Sequence, residues 1–181
     1  MFDTASMSDD LRYPIGKFEY AGLMSQDQRR QCIADIEAAP AKLREAVTHL
    51  TDAQLDTPYR PQGWSVRQVV HHVPESHMNA YVRFKLALTE DEPMVKPYKE
   101  DAWARTGEVR TTPIDISLTL LECLHQRWVG LLRSMSAAEF ERKLKHPELG
   151  TVTLDRYLAM YAWHGKHHLA HVTGLRKRNG W

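Results

Sequence analysis

The chain has 181 residues, enough for one domain with a full core, and its 43% apolar and 26% charged content is ordinary for a globular protein. A formal net charge of +1 supplies no global field toward nucleic acid or an anionic membrane, and no apolar run approaches the roughly 18 residues of a membrane span. Cys32 and Cys123 make neither a disulfide framework nor a zinc-type spacing; with the acidic stretch MFDTASMSDDLRY, which lacks a leader pattern, they predict a cytoplasmic chain without a signal peptide.

Residues 1–24 read as an extended N-terminal segment, and 25–178 as a helix bundle within one domain. Ser25-Gln26-Asp27-Gln28 is an S-x-x-Q capping box, and Ile33, Ile36, Leu43, Val47 and Leu50 keep one helical face behind it. Pro40 falls inside that face, which predicts a kinked helix or two short collinear ones. Thr51 to Gln54 is a second box, opening one short turn, and DTPYRPQGW (56–64) reads as loop. Ser65 to Gln68 is a third. The stripe Val66, Val70, Val73, His77, Ala80, Phe84, Leu88 follows it, interrupted at Pro74.

Residues 89–112 are polar with two prolines, a long crossover or an active-site flap. Thr112-Pro113 predicts an N-cap and first helical position. Ile114, Leu118, Leu121, His125, Trp128, Leu132 and Met135 then define a buried helix. Ser136 caps a short turn, and KLKHPELGTVT (143–153) suits a small hairpin or loop. Thr153 opens a last helix to about Arg178, where Arg176, Lys177 and Arg178 complement the negative helix end rather than forming a nucleic-acid patch. Asn179-Gly180 stops it. Four substantial helices with one long connection predict an all-α four-helix bundle.

Ten histidines are the unusual feature, four of them within the eight residues His164 to His171. His164/His168 and His167/His171 are both i,i+4 pairs, the spacing that lets two imidazoles meet one ion. Measured from the apolar stripe of the last helix, His168 lies about 20° and His164 about 60° off centre, against about 80° for His171 and 120° for His167. The first pair therefore faces the bundle interior, and His167 and His171 are expected at the edge or surface. A third ligand must come from another helix, with His71, His72, His77 and His125 available. Periodicity favours His77 and His125, as ligands or as core residues that orient one, and it disfavours His72. His49 and His146 read as solvent or loop positions, Cys32 and Cys123 as core, and Trp64, Trp128 and Trp163 as packing.

The stretches YPIGKF, PAKLREAV, QLDTPYRPQGWSVRQVVHHVPESHMNAYVRFKLALTE and WHGKHHLAHVTGLRKRNGW resemble the YfiT-like metal-dependent hydrolases of the DinB-like superfamily, nearly along the whole chain. The resemblance implies a four-helix bundle, a homodimer, and one zinc or nickel ion per subunit. It implies that the metal is held by the second histidine of the HH pair and by the HxxxH pair of the last helix, here His72, His164 and His168.

Three imidazoles leave a coordination position open, the catalytic rather than the structural arrangement. A metal there acidifies a bound water or a thiol. Position 165 is glycine, so the general base of an H-E-x-x-H site is absent, and Glu75 beside the HH pair is the candidate replacement. The first expectation is a hydrolase acting on a small molecule. The alternatives are transfer of a low-molecular-weight thiol such as bacillithiol to an electrophile, and a metal-binding dimer without turnover.

Overall fold

A computed structural model describes residues 11–181; most of the acidic N-terminal stretch read for a signal peptide lies outside them. The long helices are α1 (Gln26–Val47), α3 (Val66–Thr89), α6 (Ile114–Ser134) and α8 (Leu154–Asn179). Single turns α2 (Asp52–Leu55), α4 (Glu100–Trp103), α5 (Glu108–Thr111) and α7 (Ala137–Phe140) lie between them, as does an antiparallel hairpin of β1 (Lys143–His146) and β2 (Gly150–Thr153).

The capping boxes at Ser25, Thr51, Ser65 and Ser136 form as reciprocal pairs with Gln28, Gln54, Gln68 and Glu139. Gly180 ends α8 in the left-handed region at φ 70°, as its lack of Cβ allows. Two local expectations are corrected. Pro113 is itself the cap of α6, without a side-chain cap bond from Thr112. Of the two readings at Pro40, two short collinear helices are excluded: α1 is one continuous helix, and α3 likewise continues through Pro74, because packing on both sides of each proline outweighs one lost backbone bond.

Side-chain pairs give the topology. Asp35 meets Lys166 and the Ala46 carbonyl meets Arg176, so α1 and α8 run parallel. Glu37 meets Arg133 and Arg44 meets Asp115, so α1 and α6 are antiparallel. His71 meets Ser117 and His77 meets His125, so α3 and α6 run parallel. The order is up-down-down-up, and a parallel step must return along a whole helix, about 30 Å at 1.5 Å per residue. That length explains the 90–113 crossover. It docks by Val95 N–H donating to the Lys145 carbonyl and Lys145 N–H to the Pro93 carbonyl.

The core has two apolar layers. One contains Ile36, Phe84, Trp128, Leu132, Tyr157 and Leu158, the other Leu43, Val69, Val70, Leu121 and Val172. On every long helix except α1 a histidine falls between them: His77 on α3, His125 on α6, His164 and His168 on α8. This polar stratum is what the bundle builds around.

Away from it, Asp155 in the first turn of α8 is fully buried and accepts from Arg29 Nε (2.5 Å), Tyr20 Oη (2.8 Å) and Met24 N (2.9 Å). It ties the segment before α1 to the bundle. Asp155→Ala strands the Arg29 charge, whose side chain is 12% exposed, and is expected to cost about 3–5 kcal/mol in urea unfolding. A loss below about 1 kcal/mol, the range of exposed ion pairs, would show that the cluster is not a structural tie.

Other sequence expectations shift in the tertiary context. Cys123 is exposed and Cys32 half-buried, because both sit at the flanks of their helices' apolar stripes. His146 is buried as the inward residue of β1, accepting from Glu148 N–H, rather than lying in solvent. Arg176 and Arg178 do more than complement a dipole: they donate to the carbonyls of Ala46 and Tyr59, pinning the end of α1 and the following loop to α8.

Candidate metal centre

His164 and His168 are one turn apart on α8, and His72 reaches them from α3. His164 Nε2 lies 3.4 Å from His72 Nε2 and 3.2 Å from His168 Nε2. One ligand atom from each of the three residues falls within 4.8 Å of the others. Imidazole nitrogens bound at 2.0–2.1 Å around a tetrahedral zinc stand about 3.3 Å apart, so the observed spacing fits a shared ion. The donor chemistry fits as well. Burial lowers the His72 pKa to about 4 and takes His168 and His164 well below the usual value, the neighbouring histidines adding to the effect. All three rings are therefore neutral at pH 7, as metal ligands must be.

Periodicity places His72 off its helix's stripe. The stripe is misleading there, because Val69, Val70, His71, His72, Val73, Pro74, Ser76 and His77 are all buried. α6, α8 and the crossover enclose that part of α3, so it has no solvent face. His77 and His125, the residues that periodicity favoured, sit one layer deeper: His77 joins His125 (2.8 Å) and His164 (3.1 Å) and does not enter the three-residue cluster.

His167 and His171 are buried rather than at the surface. His171 stacks on Tyr59 at 3.8 Å between centroids and donates from Nε2 to the Arg12 carbonyl, and His167 stacks on Trp163. The N-terminal segment and the 56–64 loop cover a helix flank that α8 by itself would expose.

The three histidines open into a cleft of about 570 Å³, walled by Tyr13, Tyr59, Arg60, Trp64, Tyr98 and Asp101 among others. Trp64 lies 4.6 Å from the His72 ring and donates from Nε1 to Asp101 Oδ1 at 2.9 Å. Trp64 and Trp163 thus belong to the cleft, and only Trp128 is pure core. Tyr98 and Asp101 come from the crossover, which is both connection and wall; a loop carries no periodicity that would have revealed them.

Glu75 does not line the cleft. It is half-buried on α3, its Oε2 is shielded without a partner among the described residues, and burial followed by repulsion from Glu108 raises its pKa.

A helical bundle with a three-histidine cluster at the bottom of a cleft defines a class of metal-binding α-protein. Residues 35–172 match the family model described as the DinB superfamily, and the chain belongs to that superfamily. Relatives with provisional names as metal-dependent hydrolases include one from Bacillus mycoides strain KBAB4, 51% identical over 95% of this chain and 99% of its own length. Another, from Bacillus cereus strain 03BB102, is 51% identical over 96% of this chain and 99% of its own. The structure is similar to that of YfiT from Bacillus subtilis, described as "a probable metal-dependent hydrolase with an unusual four-helix bundle topology". That chain is 47% identical with a TM-score of 0.93, over 95% of this chain and 99% of that one. A mycothiol-dependent maleylpyruvate isomerase shares the fold at 16% identity and a TM-score of 0.59, over 80% of this chain and 63% of that one.

Proposed function

We propose that this protein is a metal-dependent hydrolase of small molecules, with His72, His164 and His168 holding one divalent ion. The observation that carries the reading is the convergence of three neutral imidazoles, His72 and His168 buried and His164 half-buried, within 4.8 Å of one another beneath an open cleft. An ion held by three imidazoles with a position open supplies Lewis acidity and brings the pKa of a coordinated water toward 7. Imidazole donors suit zinc and nickel alike. Among carboxylates, Glu100 and Asp101 line the cleft and Glu75 does not; of the two, Asp101 is bonded to Trp64 beside His72, so Asp101 takes the proton-accepting role ahead of Glu75. Its bond to Trp64 Nε1 orients it.

The cleft volume suits a small molecule. Arg60, Arg12 and Arg105 line it, and Arg60 Nε is shielded from solvent without an acceptor among the described residues; an anionic substrate supplies one. Unbridged Cys32 and Cys123 suit a reducing, cytoplasmic setting. Among the described residues no helix is long and apolar enough to cross a membrane. Exposed Met78 and Val82 on α3, with Ile116 and Leu120 on α6, offer apolar surface to a second copy in a homodimer.

The test is a screen of zinc- and nickel-loaded protein against anionic and neutral esters, amides and phosphoesters, with and without low-molecular-weight thiols, bacillithiol included. Thiol-independent hydrolysis is expected, falling about 100-fold or more in Asp101→Asn with metal content retained and little changed in Glu75→Gln. A product carrying the thiol would replace hydrolysis by thiol transfer. A loaded protein inert in every arm would leave the non-catalytic reading.

A further inference from the structure

Three hydrogen-bonded imidazoles run from the backbone of α1 to the candidate metal centre, and their polarity is determined by their far end. Pro40 lacks an N–H, so the carbonyl of Ile36, four residues earlier in α1, has no helical donor. His125 Nδ1 lies 2.6 Å from that carbonyl. A carbonyl only accepts, so Nδ1 carries the proton. His125 and His77 are sealed from solvent at 2% and 0% exposure, and no carboxylate is bonded to either among the described residues. Both are therefore neutral. A neutral His125 presents a lone pair at Nε2, which makes His77 Nδ1 the donor across their 2.8 Å contact. His77 Nε2 is then a lone pair, and His164 Nδ1–H donates to it at 3.1 Å. His164 Nε2 is left without a proton, facing His72 and His168.

We infer that His77 and His125 are positioning residues: anchored on the carbonyl that Pro40 frees, they hold His164 in the Nδ1–H tautomer and commit its Nε2 to the metal before the ion arrives. The inference rests on the metal site proposed above. His164 is singled out among the three histidines, since His72 Nδ1 and His168 Nδ1 are shielded and have no partner among the described residues. The reverse polarity would set a lone pair of His125 against the Ile36 carbonyl, so it is excluded electrostatically. The relay ends on an acceptor and passes no proton beyond it. Its role is orientation, of the kind that partners of metal-bound histidines perform.

The experiment uses wild type, His125→Phe and His125→Gln. Glutamine offers one donor for Ile36 and one acceptor for His77; phenylalanine offers neither. Nitrogen-15 NMR of the metal-free protein should show His164 protonated at Nδ1 and bare at Nε2 in wild type and His125→Gln. In His125→Phe that preference should be lost. Zinc affinity, measured against a chromogenic chelator, should weaken about 10–100-fold in His125→Phe and recover most of the loss in His125→Gln. A wild-type spectrum with His164 protonated at Nε2 overturns the inference, and so does a folded His125→Phe with unchanged tautomer and affinity. If His125→Phe does not fold, the wild-type and His125→Gln spectra decide. A wild type that binds neither zinc nor nickel refutes the metal reading, while the tautomer in the same sample still decides the relay.

Discussion

His164→Ala is expected to reduce bound zinc from one ion per chain to a trace, as measured by elemental analysis after dialysis. Losing a ligand costs more than losing an outer partner, itself worth roughly 10–100-fold in affinity. Two imidazoles, His72 and His168, remain, and they lack the central nitrogen that faces both of them at 3.4 and 3.2 Å. His77 Nε2 also loses its donor. His72→Ala and His168→Ala should act in the same direction. His167→Ala and His171→Ala are the informative controls, because they belong to the same cleft and carry the same i,i+4 spacing. They should keep the metal, since His171 Nε2 is committed to the Arg12 carbonyl and His167 stacks on Trp163. Metal retained in His164→Ala and lost in either control would move the site to the other pair.

The second large effect is acid sensitivity of the metal-free protein. Burial lowers His72 and His125 from 6.5 to about 4 and His171 to about 3, with His171 further depressed by His167. Burial also takes His77, His164 and His168 well below the usual value. Above pH 6.5 these rings are neutral in both folded and unfolded chains, and the stability is fully present. Below it the unfolded histidines take up protons that the folded ones refuse, so the unfolded state binds more protons and stability falls with pH. The loss continues down to the folded pKa values, about 4 for His72 and His125 and about 3 for His171. At about 1.4 kcal/mol per unit and per group, two such residues cost on the order of 5 kcal/mol by pH 4, comparable to the whole stability of a small domain. Thermal midpoints of metal-free protein should therefore drop steeply from pH 7 to pH 4.5. Added zinc should raise the midpoint at pH 7 and lose that effect as protons compete for the ligands. A metal-free midpoint that stays level across this range would mean that the histidine layer is hydrated and not sealed.

Reading the chain alone recovers the framework wherever a local rule applies. Three capping boxes, the Ser136 cap, the Gly180 stop and the apolar faces of α1, α6 and α8 all depend on residues within a few positions of one another, whereas residues 143–153 read equally as hairpin or loop. The facing of His164 and His168 was legible for the same reason, since both lie on one short stretch of one helix. The third ligand was not legible from periodicity. A stripe identifies the buried face of a helix with one solvent side, and α3 has none around His72. There the resemblance to a known family carried the assignment.

Some features have no local signal. Asp101 and Tyr98 reach the cleft only because the parallel step from α3 to α6 forces residues 90–113 back across the bundle. His167 and His171 are buried only because residues 12–13 and Tyr59 cover them.

The sequence by itself thus determined where helices start and stop, the bundle they form and the inward facing of His164 and His168 on α8, since each follows from hydrogen bonding or burial within one segment. Only the tertiary structure decided that Glu100 and Asp101 rather than Glu75 line the cleft and that a proline in α1 leaves a carbonyl for His125, and it brings His72 rather than His77 into the three-histidine cluster, as the family resemblance implies and periodicity does not. Each of those outcomes depends on which atoms from distant segments are brought within about 3 Å, the distance at which a hydrogen bond or a shared ion becomes possible.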